Sequence, residues 1–322
     1  MIAIVHGRVR EEEKLLWAAA QRLGIDVQMV SDDSLVLDLD GTLHAPAQPG
    51  PGGPTTRGAA LTVAPDAVLV RSISTTRGLY VARAAEAAGV PVINSSATAG
   101  TCADKAATSW ALRAAGVPTP ETRVAFTPQA ALDALDTLGY PAVLKPVQGS
   151  WARLVARVRD RAEAEQLLEH REQLPNPLQH VYYVQQYVDT TAGGAHPHRD
   201  IRAFTIGDEC IGAIHRTSNH WITNTARGGT ASGYAITDEL ASLCERASRA
   251  VGGGVLAMDL LEGPDGLMVH EVNHTMEFRN SISTTGVDIP GRVLEYVRDA
   301  AGLDPRRGSR TRRAVAAVSN IW

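Results

Sequence analysis

Two apolar segments in the C-terminal third of the chain are predicted to form the strands of one β-hairpin. Val255–Met258 is an uninterrupted apolar run that ends at Asp259, and a second run follows the turn Gly263-Pro264-Asp265-Gly266. Glu271 and Asn273 are two residues apart in that second run, so both side chains point to one face of the strand. The hairpin therefore places two carboxylates and one amide oxygen on a common surface.

Oxygen ligands of this kind suit Mg²⁺, which proteins usually hold with one or two carboxylates and the phosphates of a substrate. Asp259, Glu271 and Asn273 are therefore candidate metal ligands. The alternative is a solvated hairpin face that carries ordinary charges. The choice between them depends on whether other parts of the chain offer groups that bind phosphate.

Strands and helices alternate in the N-terminal part of the chain. Ile2–His6 is predicted to be a buried strand, and Glu11–Leu23 has the periodicity of an amphipathic helix. Further apolar segments follow, together with an alanine-rich helix predicted from Gly78 to Ala88. This alternation favours βαβ units around a parallel sheet. The Pro/Gly-rich segment Ala45–Arg57 is predicted to be an exposed loop.

The rest of the pattern predicts two further domains and a tail. A strand over Ala142–Pro146, a strand Leu154–Val158 and another from Tyr182 to Val188 favour a small α+β domain. Antiparallel strands with a helix over Asp238–Val251 follow, and five arginines lie beyond Asp304. The fold class is therefore α/β with α+β parts. The predicted boundaries are 1–94 for the N-terminal domain, 95–188 for the small domain, 189–303 for the C-terminal domain and 304–322 for a basic tail.

Composition narrows the functional classes. The 322-residue chain is 20% charged and has a formal net charge of −4, so nothing global indicates a nucleic-acid or anionic-membrane partner. No apolar run approaches the roughly 20 residues of a membrane span, and the N-terminus leads directly into a strand rather than a signal peptide. Cys102, Cys210 and Cys244 are far apart, which favours a reducing, cytoplasmic location over a disulfide framework.

Two lysines and a loop are candidates for phosphate binding. Lys145 lies near the end of an apolar strand, and Lys105 begins a predicted helix after Asp104. Lysines at the edge of an interior are uncommon unless they pair with an anion, and an ammonium group binds phosphate as a point charge. The loop Gly149–Arg153, which includes Ser150, can turn its backbone N–H groups toward the same phosphates. The alternatives are ordinary surface lysines and a simple turn.

Arginines and a polar segment add to the candidate site. Arg202 and Arg216 lie in predicted strands, where guanidinium groups that face a metal–phosphate site would stabilise a transferring phosphoryl group. The segment His220–Gly229 offers amides and hydroxyls to a polar substrate. A solvated sheet face and a structural loop are the alternatives for these two features.

Several familiar motifs are missing from the sequence. It contains no G-x-x-x-x-G-K-[ST] run and no G-x-S-x-G run, so neither a Walker-type NTPase nor a serine nucleophile is supported. The isolated histidines show no zinc-binding spacing and are interpreted as surface residues: His6, His170, His180 and His196.

Taken together, these residues resemble the ATP-grasp ligases of the RimK-like family. The resemblance extends from the N-terminal domain to Ala301, and its most specific segments are His220–Gly229, Glu271–Ser281 and Thr284–Pro290. Within the family the chain is most similar to the LysX group, which attaches α-aminoadipate to the carrier protein LysW. The resemblance implies an ATP-grasp fold with an N-terminal βαβ parallel-sheet domain, a small α+β lid domain and a C-terminal antiparallel-sheet domain.

The resemblance also implies an ATP- and Mg²⁺-dependent carbon–nitrogen ligase. ATP would phosphorylate the γ-carboxyl of the carrier's C-terminal glutamate, and the amine of a small amino acid would attack the acyl phosphate. The implied partner is an acidic LysW-like carrier protein, and the implied assembly is a homo-oligomer, either a dimer or a tetramer. RimK-type addition of glutamate to a protein C-terminus or small peptide is the alternative activity. A non-catalytic nucleotide-binding protein is a third interpretation, which the intact metal-ligand set disfavours.

The implied nucleotide and metal ligands follow from the resemblance residue by residue. Phosphates would be held by Lys105, Lys145 and the loop that contains Gly149, Ser150 and Arg153. Mg²⁺ would be held by Asp259, Glu271 and Asn273. Adenine would lie against Gln185, Gln186, Tyr187 and Val188.

Catalytic and substrate roles are implied in the same way. Arg202 and Arg216 would face the γ-phosphate and the acyl phosphate. The candidates for binding the amino acid are Arg71, Asn224, Asn280, Ser281 and Thr285. Two positions depart from the family pattern. Gln186 replaces a common glutamate near the nucleotide, and Ala152 replaces a glycine, which predicts a stiffer phosphate loop.

Overall fold

The computed structural model describes residues 1–40, 42–46, 60–191, 194, 196–224 and 228–303. Most of the predicted loop Ala45–Arg57 and all of the predicted tail 304–322 lie outside these residues. The chain divides into two compact units. Unit 1 contains Met1–Ser96 and the segment from Asp288 onward, and unit 2 contains Ala97–Val287. The three domain boundaries proposed from the sequence stay a prediction.

The strands and helices of the described residues are numbered in chain order. The strands are β1 (Ile2–His6), β2 (Val27–Ser31), β3 (Val36–Leu37), β4 (Leu43–Pro46), β5 (Ala60–Val63), β6 (Ala67–Arg71), β7 (Val92–Ile93), β8 (Thr122–Ala125), β9 (Ala142–Pro146), β10 (Ala156–Val158), β11 (Tyr182–Gln186), β12 (His198–Ile206), β13 (Glu209–Ser218), β14 (Thr230–Gly233), β15 (Val255–Gly263) and β16 (Gly266–Asn273). The helices are α1 (Glu11–Leu23), α2 (Thr75–Ala87), α3 (Ser96–Ala103), α4 (Lys105–Ala114), α5 (Pro128–Leu138), α6 (Arg161–Glu172), α7 (Asp238–Val251), α8 (Ile282–Thr285) and α9 (Ile289–Ala300). None of these helices is long and apolar enough to span a membrane.

Unit 1 contains the predicted parallel sheet, in the strand order β2-β1-β6-β7. Every residue of β1 is buried, as expected for a parallel strand covered on both faces. His6, predicted to be a surface residue, is only 2% exposed because it ends this central strand. Helix α2 begins at Thr75 rather than Gly78, since the Ser74 side chain caps the earlier turn. Ala45 lies in β4, so the loop prediction is wrong at that residue.

Unit 2 contains two antiparallel sheets, in the orders β10-β9-β11-β8 and β14-β13-β12-β15-β16. β11 ends at Gln186, two residues earlier than predicted. The predicted strand Leu154–Val158 begins only at Ala156. Leu154 has a φ angle of 57°, which lies in the left-handed region and is incompatible with a strand.

The sheet centred on β12 has one apolar face and one charged face. On the apolar face, Ile201, Met258 and Val272 pack against the buried side of α7, which contributes Leu240 and Cys244. Helix α7 follows the predicted range, with Thr237 capping its N-terminus. Because neighbouring residues of a strand point to opposite faces, the residues between these core positions project from the other side of the sheet. That second face carries the candidate site.

Candidate active site

On the charged face of this sheet, polar residues of three neighbouring strands lie opposite one another. Asp259 on β15 pairs with Glu271 on β16, and Arg202 on β12 pairs with Asp259 from the other side. Asn273 is opposite Ala257, so it follows Glu271 along the same face. The structure therefore confirms that Glu271 and Asn273 share a face of the predicted hairpin with Asp259.

Two arginines hold the Asp259 carboxylate. Arg202 donates from Nε to Oδ1 and from Nη2 to Oδ2, both at 2.7 Å. Arg216 Nη2 lies 3.0 Å from Asp259 Oδ1 and also contacts Asp200. Burial raises the pKa of Asp259, but the Arg202 and Arg216 charges outweigh it and hold that pKa well below its usual range. The carboxylate is therefore ionised, and both of its oxygens contact arginine side chains.

Asp200 is a member of this network that the sequence interpretation missed. Its Oδ1 accepts a hydrogen bond from Arg216 Nε at 2.7 Å, and both side chains are buried. Burial lowers the pKa of Arg216, but the charges of Asp259 and Asp200 outweigh burial and raise it. Asp200 pairs with Arg216 through the register of β12 with β13, so no local sequence pattern indicates its role.

A β-bulge places a second missed residue, His270, in the site. Leu260 pairs with Val269 and Asp259 pairs with Glu271, so His270 is the extra residue of β16. Val269 and Val272 both lie in the core although they are three residues apart, which leaves His270 and Glu271 between them on the charged side. Burial lowers the pKa of His270 to about 4, and the nearby Lys145 charge lowers it further. His270 is therefore neutral near pH 7.

Lys105 links the hairpin to the predicted phosphate loop. It is the first residue of α4, where Asp104 caps the helix. Its Nζ lies 3.3 Å from Glu271 Oε1 and donates to the Gly149 carbonyl oxygen at 3.0 Å. The pKa of Glu271 is raised by burial, but the Lys105 charge outweighs burial and lowers it. The structure thus brings one candidate phosphate ligand, one candidate metal ligand and the loop together.

Lys145 is buried at the end of β9 beside a polar chain. Its Nζ donates to Gln185 Oε1 at 2.7 Å, and Gln185 Nε2 donates to Tyr183 Oη at 2.7 Å. Burial lowers the pKa of Lys145 to about 8, the Glu271 charge opposes that shift, and the Lys105 charge adds to it. With this pKa the side chain is still mostly an ammonium near pH 7, and a buried ammonium suits a phosphate-binding role.

The predicted phosphate loop, together with the residue that follows it, contains non-glycine residues in the left-handed region. Trp151, Ala152 and Leu154 have φ angles of 57°, 51° and 57°. Such a conformation costs about 1–2 kcal/mol for each non-glycine residue. Ala152, where the family usually has glycine, therefore adopts the backbone that glycine favours. Arg153 lies over the Trp151 ring, with the guanidinium carbon 5.1 Å from the ring centre.

In the predicted adenine segment, one residue contacts Lys145 and the other residues make different contacts. Gln185 faces Lys145, whereas the exposed Gln186 points the other way, where its Oε1 accepts from the Glu121 backbone N–H at 3.4 Å. Tyr187 stacks edge to face with Trp221, at 6.4 Å between ring centres. Val188 lies beyond the end of β11 and is half-buried. Gln185 is thus the member of this segment that contacts a candidate phosphate ligand.

The candidate amino-acid ligands of unit 2 lie in two segments. Ser281 is buried, and its backbone oxygen accepts from Thr285 Oγ1 at 2.7 Å. The Asn280 backbone oxygen accepts from Thr284 Oγ1 at 3.1 Å. Asn224 belongs to the polar segment after β13, and its backbone oxygen accepts from Gly229 at 3.4 Å.

Arg71 is the candidate that belongs to unit 1. It ends β6, is 4% exposed, and donates from Nε to Glu13 Oε1 at 3.1 Å. Glu13 also accepts from the Arg10 backbone N–H at 2.9 Å. The Arg71 guanidinium therefore lies in a buried ion pair at the end of the parallel sheet.

The donor set fits a magnesium ion. Asp259 and Glu271 face each other on paired strands and offer the oxygen ligands that hard cations prefer. Within the described ranges, the buried Nδ2 of Asn273 has no hydrogen-bond partner, and rotation of the amide would present its oxygen there. No group of three or more His, Cys, Asp or Glu among the described residues is placed to hold a metal. An amide and phosphate oxygens would have to complete the site, as is common for Mg²⁺.

Comparison with known proteins agrees with this geometry. The model of the RimK-like ATP-grasp domain matches residues 102–297, and that of the LysX preATP-grasp domain matches residues 2–48 and 55–101. The chain belongs to the RimK-like ATP-grasp family. It is therefore an ATP-grasp carbon–nitrogen ligase, which confirms the predicted fold class and type of enzyme. Ligases of this family use ATP.

Similar proteins of this ATP-grasp family match most of the chain. A glutamate–LysW ligase, ArgX, of Sulfolobus acidocaldarius is 31% identical over 92% of this chain and 98% of its own length. An α-aminoadipate–LysW ligase, LysX, of Saccharolobus solfataricus is 36% identical over 71% of this chain and 82% of its own. The crystal structure of a RimK domain ATP-grasp protein from Sphaerobacter thermophilus aligns with a TM-score of 0.71 and 30% identity, and covers 92% of this chain and 98% of that one.

Proposed function

We propose that this ligase joins the amino group of α-aminoadipate, or a related amino acid, to the γ-carboxyl of the C-terminal glutamate of a LysW-like carrier protein. The observation that carries the proposal is the extent of the similarity to LysW ligases, which spans both units of the chain. Relatives named for glutamate and for α-aminoadipate are similarly close. The choice of amino acid therefore rests on the sequence interpretation.

The chemistry of the site supports ATP-dependent activation of a carboxylate. Phosphoryl transfer requires positioning and charge neutralisation rather than a covalent nucleophile. We propose that Lys105 and Lys145 bind the phosphates, and that Arg202 and Arg216 stabilise the transferring group. Asp259 orients both arginines through the contacts described above.

The metal and nucleotide ligands are proposed on the same basis. Mg²⁺, held by Asp259, Glu271 and Asn273, would supply further neutralisation of the phosphate charge. The loop that contains Gly149, Ser150 and Arg153 would cover the phosphates and exclude water from the labile acyl phosphate. The adenine ligands proposed are Gln185, Gln186, Tyr187 and Val188.

The second half-reaction is attack of an amine on the acyl phosphate. The C–N bond forms at the acyl carbon, and phosphate leaves with the electrons of the former C–O bond. We propose that the amino acid is oriented by Asn224, Asn280, Ser281, Thr285 and Arg71. The proposed partner is a small acidic LysW-like carrier, and the proposed assembly is a dimer or tetramer, which light scattering can check.

A mass-spectrometric assay tests the proposal. The enzyme is incubated with ATP, Mg²⁺, a LysW-like carrier and either α-aminoadipate or glutamate. We expect the carrier mass to rise by one amino-acid residue and ADP to accumulate, with no adduct on a carrier that lacks its C-terminal glutamate. Adducts with glutamate on unrelated peptides but none on the carrier would instead support a RimK-type ligase.

A further inference from the structure

Arg157 contacts two aromatic rings that belong to different segments of unit 2. Its guanidinium carbon lies 5.3 Å from the centre of the Tyr187 ring and 6.0 Å from the centre of the Trp221 ring. Its Nη1 also donates to Tyr187 Oη at 3.3 Å. Tyr187 follows β11, whereas Trp221 lies in the polar segment after β13. One side chain therefore joins two elements that the backbone connects only over a long distance.

Arg157 extends from the same face of its sheet as the candidate phosphate ligand. It lies in β10 and pairs with Val143 on β9, and Val143 pairs with Gln185 on β11. Lys145 is two residues after Val143 and therefore shares its face. β10 begins at Ala156, so only a short segment separates Arg157 from Arg153, the last residue of the predicted phosphate loop.

The other end of the contact is tied to a candidate substrate residue. Trp221 is three residues before Asn224 in the polar segment. A Cβ atom on Gly229 would lie 2.2 Å from the Thr223 backbone oxygen, so Gly229 packs tightly against Thr223. Residues 221–224 are thus contacted by Gly229 at one end and by Arg157 at the other.

We propose that Arg157 is a positioning residue that couples the phosphate loop to the Trp221–Asn224 segment. Nucleotide binding orders the loop and β10, and Arg157 then fixes Trp221 and with it the position of Asn224. The role of Asn224 toward the amino acid rests on the proposed function, whereas the coupling itself does not. A cation over an aromatic ring is attracted by the electron-rich face of the ring, and loss of two such contacts should produce a roughly tenfold effect.

Hydrogen–deuterium exchange of the full chain with ADP and Mg²⁺ tests the coupling without any carrier or amino acid. In the wild type, we expect nucleotide to slow exchange in residues 147–158 and also in residues 216–224. In Arg157→Met, which keeps the apolar stem, we expect protection of 147–158 alone. Equal protection of 216–224 in the variant, or no protection of it in the wild type, would overturn the proposal.

Two further variants separate coupling from a merely structural stack. Arg157→Lys keeps the charge and should restore most of the protection of residues 216–224. Arg83→Met removes a comparable contact in unit 1, where the guanidinium carbon lies 5.7 Å from the Tyr80 ring centre, and should change neither segment. If Arg157→Met lowers the melting temperature but leaves the nucleotide-dependent protection intact, the stack is structural and the proposal fails.

Kinetics distinguish failure of this inference from failure of the proposed function. With the LysW-like carrier, Arg157→Met should raise the KM for the amino acid about tenfold and change the KM for ATP less. An active wild-type enzyme with an unchanged amino-acid KM in the variant would overturn the coupling and leave the proposed function in place. An inactive wild type with the expected exchange pattern would do the reverse.

Discussion

The parallel sheet of unit 1 and the β12-centred sheet of unit 2 separate polar from apolar groups along different directions. β1 is buried on both faces, and its histidine comes at the last residue, where His6 pairs with Arg71 at the end of β6. In the sheet of unit 2, polarity changes across the sheet instead. Asp259 and Arg202 project from one side, and Met258 on the same strand packs against α7 on the other.

This difference determines where each unit can carry chemistry. A strand that is covered on both faces has only its ends available for polar groups. A strand with one uncovered face can carry a row of functional side chains at every second residue without disturbing the core. We therefore expect polar substitutions on the uncovered face of the β12-centred sheet to affect mainly nucleotide-dependent activity, and a break in the buried Glu13–Arg71 ion pair of unit 1 to affect mainly stability.

The largest effect is expected for Asp259→Asn, which keeps the size of the side chain and removes its charge. The change leaves Arg202 and Arg216 without their shared carboxylate and removes a proposed metal ligand, so kcat should fall about 10²–10³-fold. ADP release in the carrier assay measures it, and calorimetry with ADP and Mg²⁺ should show weaker binding. Asp265→Asn, in the exposed hairpin turn, is the matched control. Unchanged turnover in Asp259→Asn would refute the metal assignment.

Glu13→Gln tests the expectation that the buried ion pair of unit 1 contributes to stability. Glu13 is fully buried against Arg71 and Arg10, and loss of one partner of a buried ion pair costs about 3 kcal/mol or more. Chemical denaturation should show this loss, with little change in nucleotide affinity. Glu11→Gln, exposed on the same helix, should cost under about 0.5 kcal/mol. A large loss of nucleotide affinity in Glu13→Gln would contradict the expectation that this ion pair affects stability rather than nucleotide binding.

The Glu13 pair also predicts a pH dependence. Burial raises the pKa of Glu13, but the Arg71 charge and the Arg10 contacts outweigh burial and lower it. A carboxylate with a lowered folded-state pKa stabilises the fold above its unfolded pKa, and that stability is lost as pH falls through the folded value. The wild type should therefore lose more stability than Glu13→Gln between neutral and acidic pH.

The smallest effect is expected for Lys145, which belongs to unit 2. Its pKa is lowered from 10.5 to about 8, so above pH 8 the unliganded enzyme loses the ammonium proposed to bind phosphate. ADP affinity should then fall by up to about tenfold per pH unit. Lys145→Arg does not titrate in this range and should show a flatter profile. Identical pH profiles for the two proteins would remove Lys145 from the nucleotide site.

Elements with clear local signals were predictable from the sequence. The bounds of β1, α1, β9 and α7 agree with the prediction because each has a periodic or continuous apolar run and a recognisable end. Helix α3 was missed, since Ser96–Ala103 consists of small residues without an apolar stripe. The left-handed backbone of Trp151 and Leu154 was also not predicted, because this conformation at a large side chain has no local sequence signal.

The candidate site was predictable only in part, for a related reason. The shared face of Glu271 and Asn273 follows from spacing within one hairpin. The clamp of Arg202 and Arg216 on Asp259 depends on the registers of β12 with β15 and β13, which no local pattern specifies. The role of these arginines toward phosphate, which the resemblance implies, stays a prediction. The structure adds a carboxylate partner on the same surface, which the sequence interpretation did not include.

The bulge at His270 has a consequence for how this hairpin can change in length. Leu267 and Val269 enter the core at odd-numbered positions, whereas Val272 enters at an even-numbered one. The alternation of core and charged-face residues along β16 therefore changes phase once, at the single extra residue. Loss of His270 alone would leave Val269, Glu271, Val272 and Asn273 in strict alternation, whereas loss of a residue on either side would exchange core and ligand positions. Position 270 is therefore the place in this strand where we expect a deletion to leave the remaining side chains on their original faces.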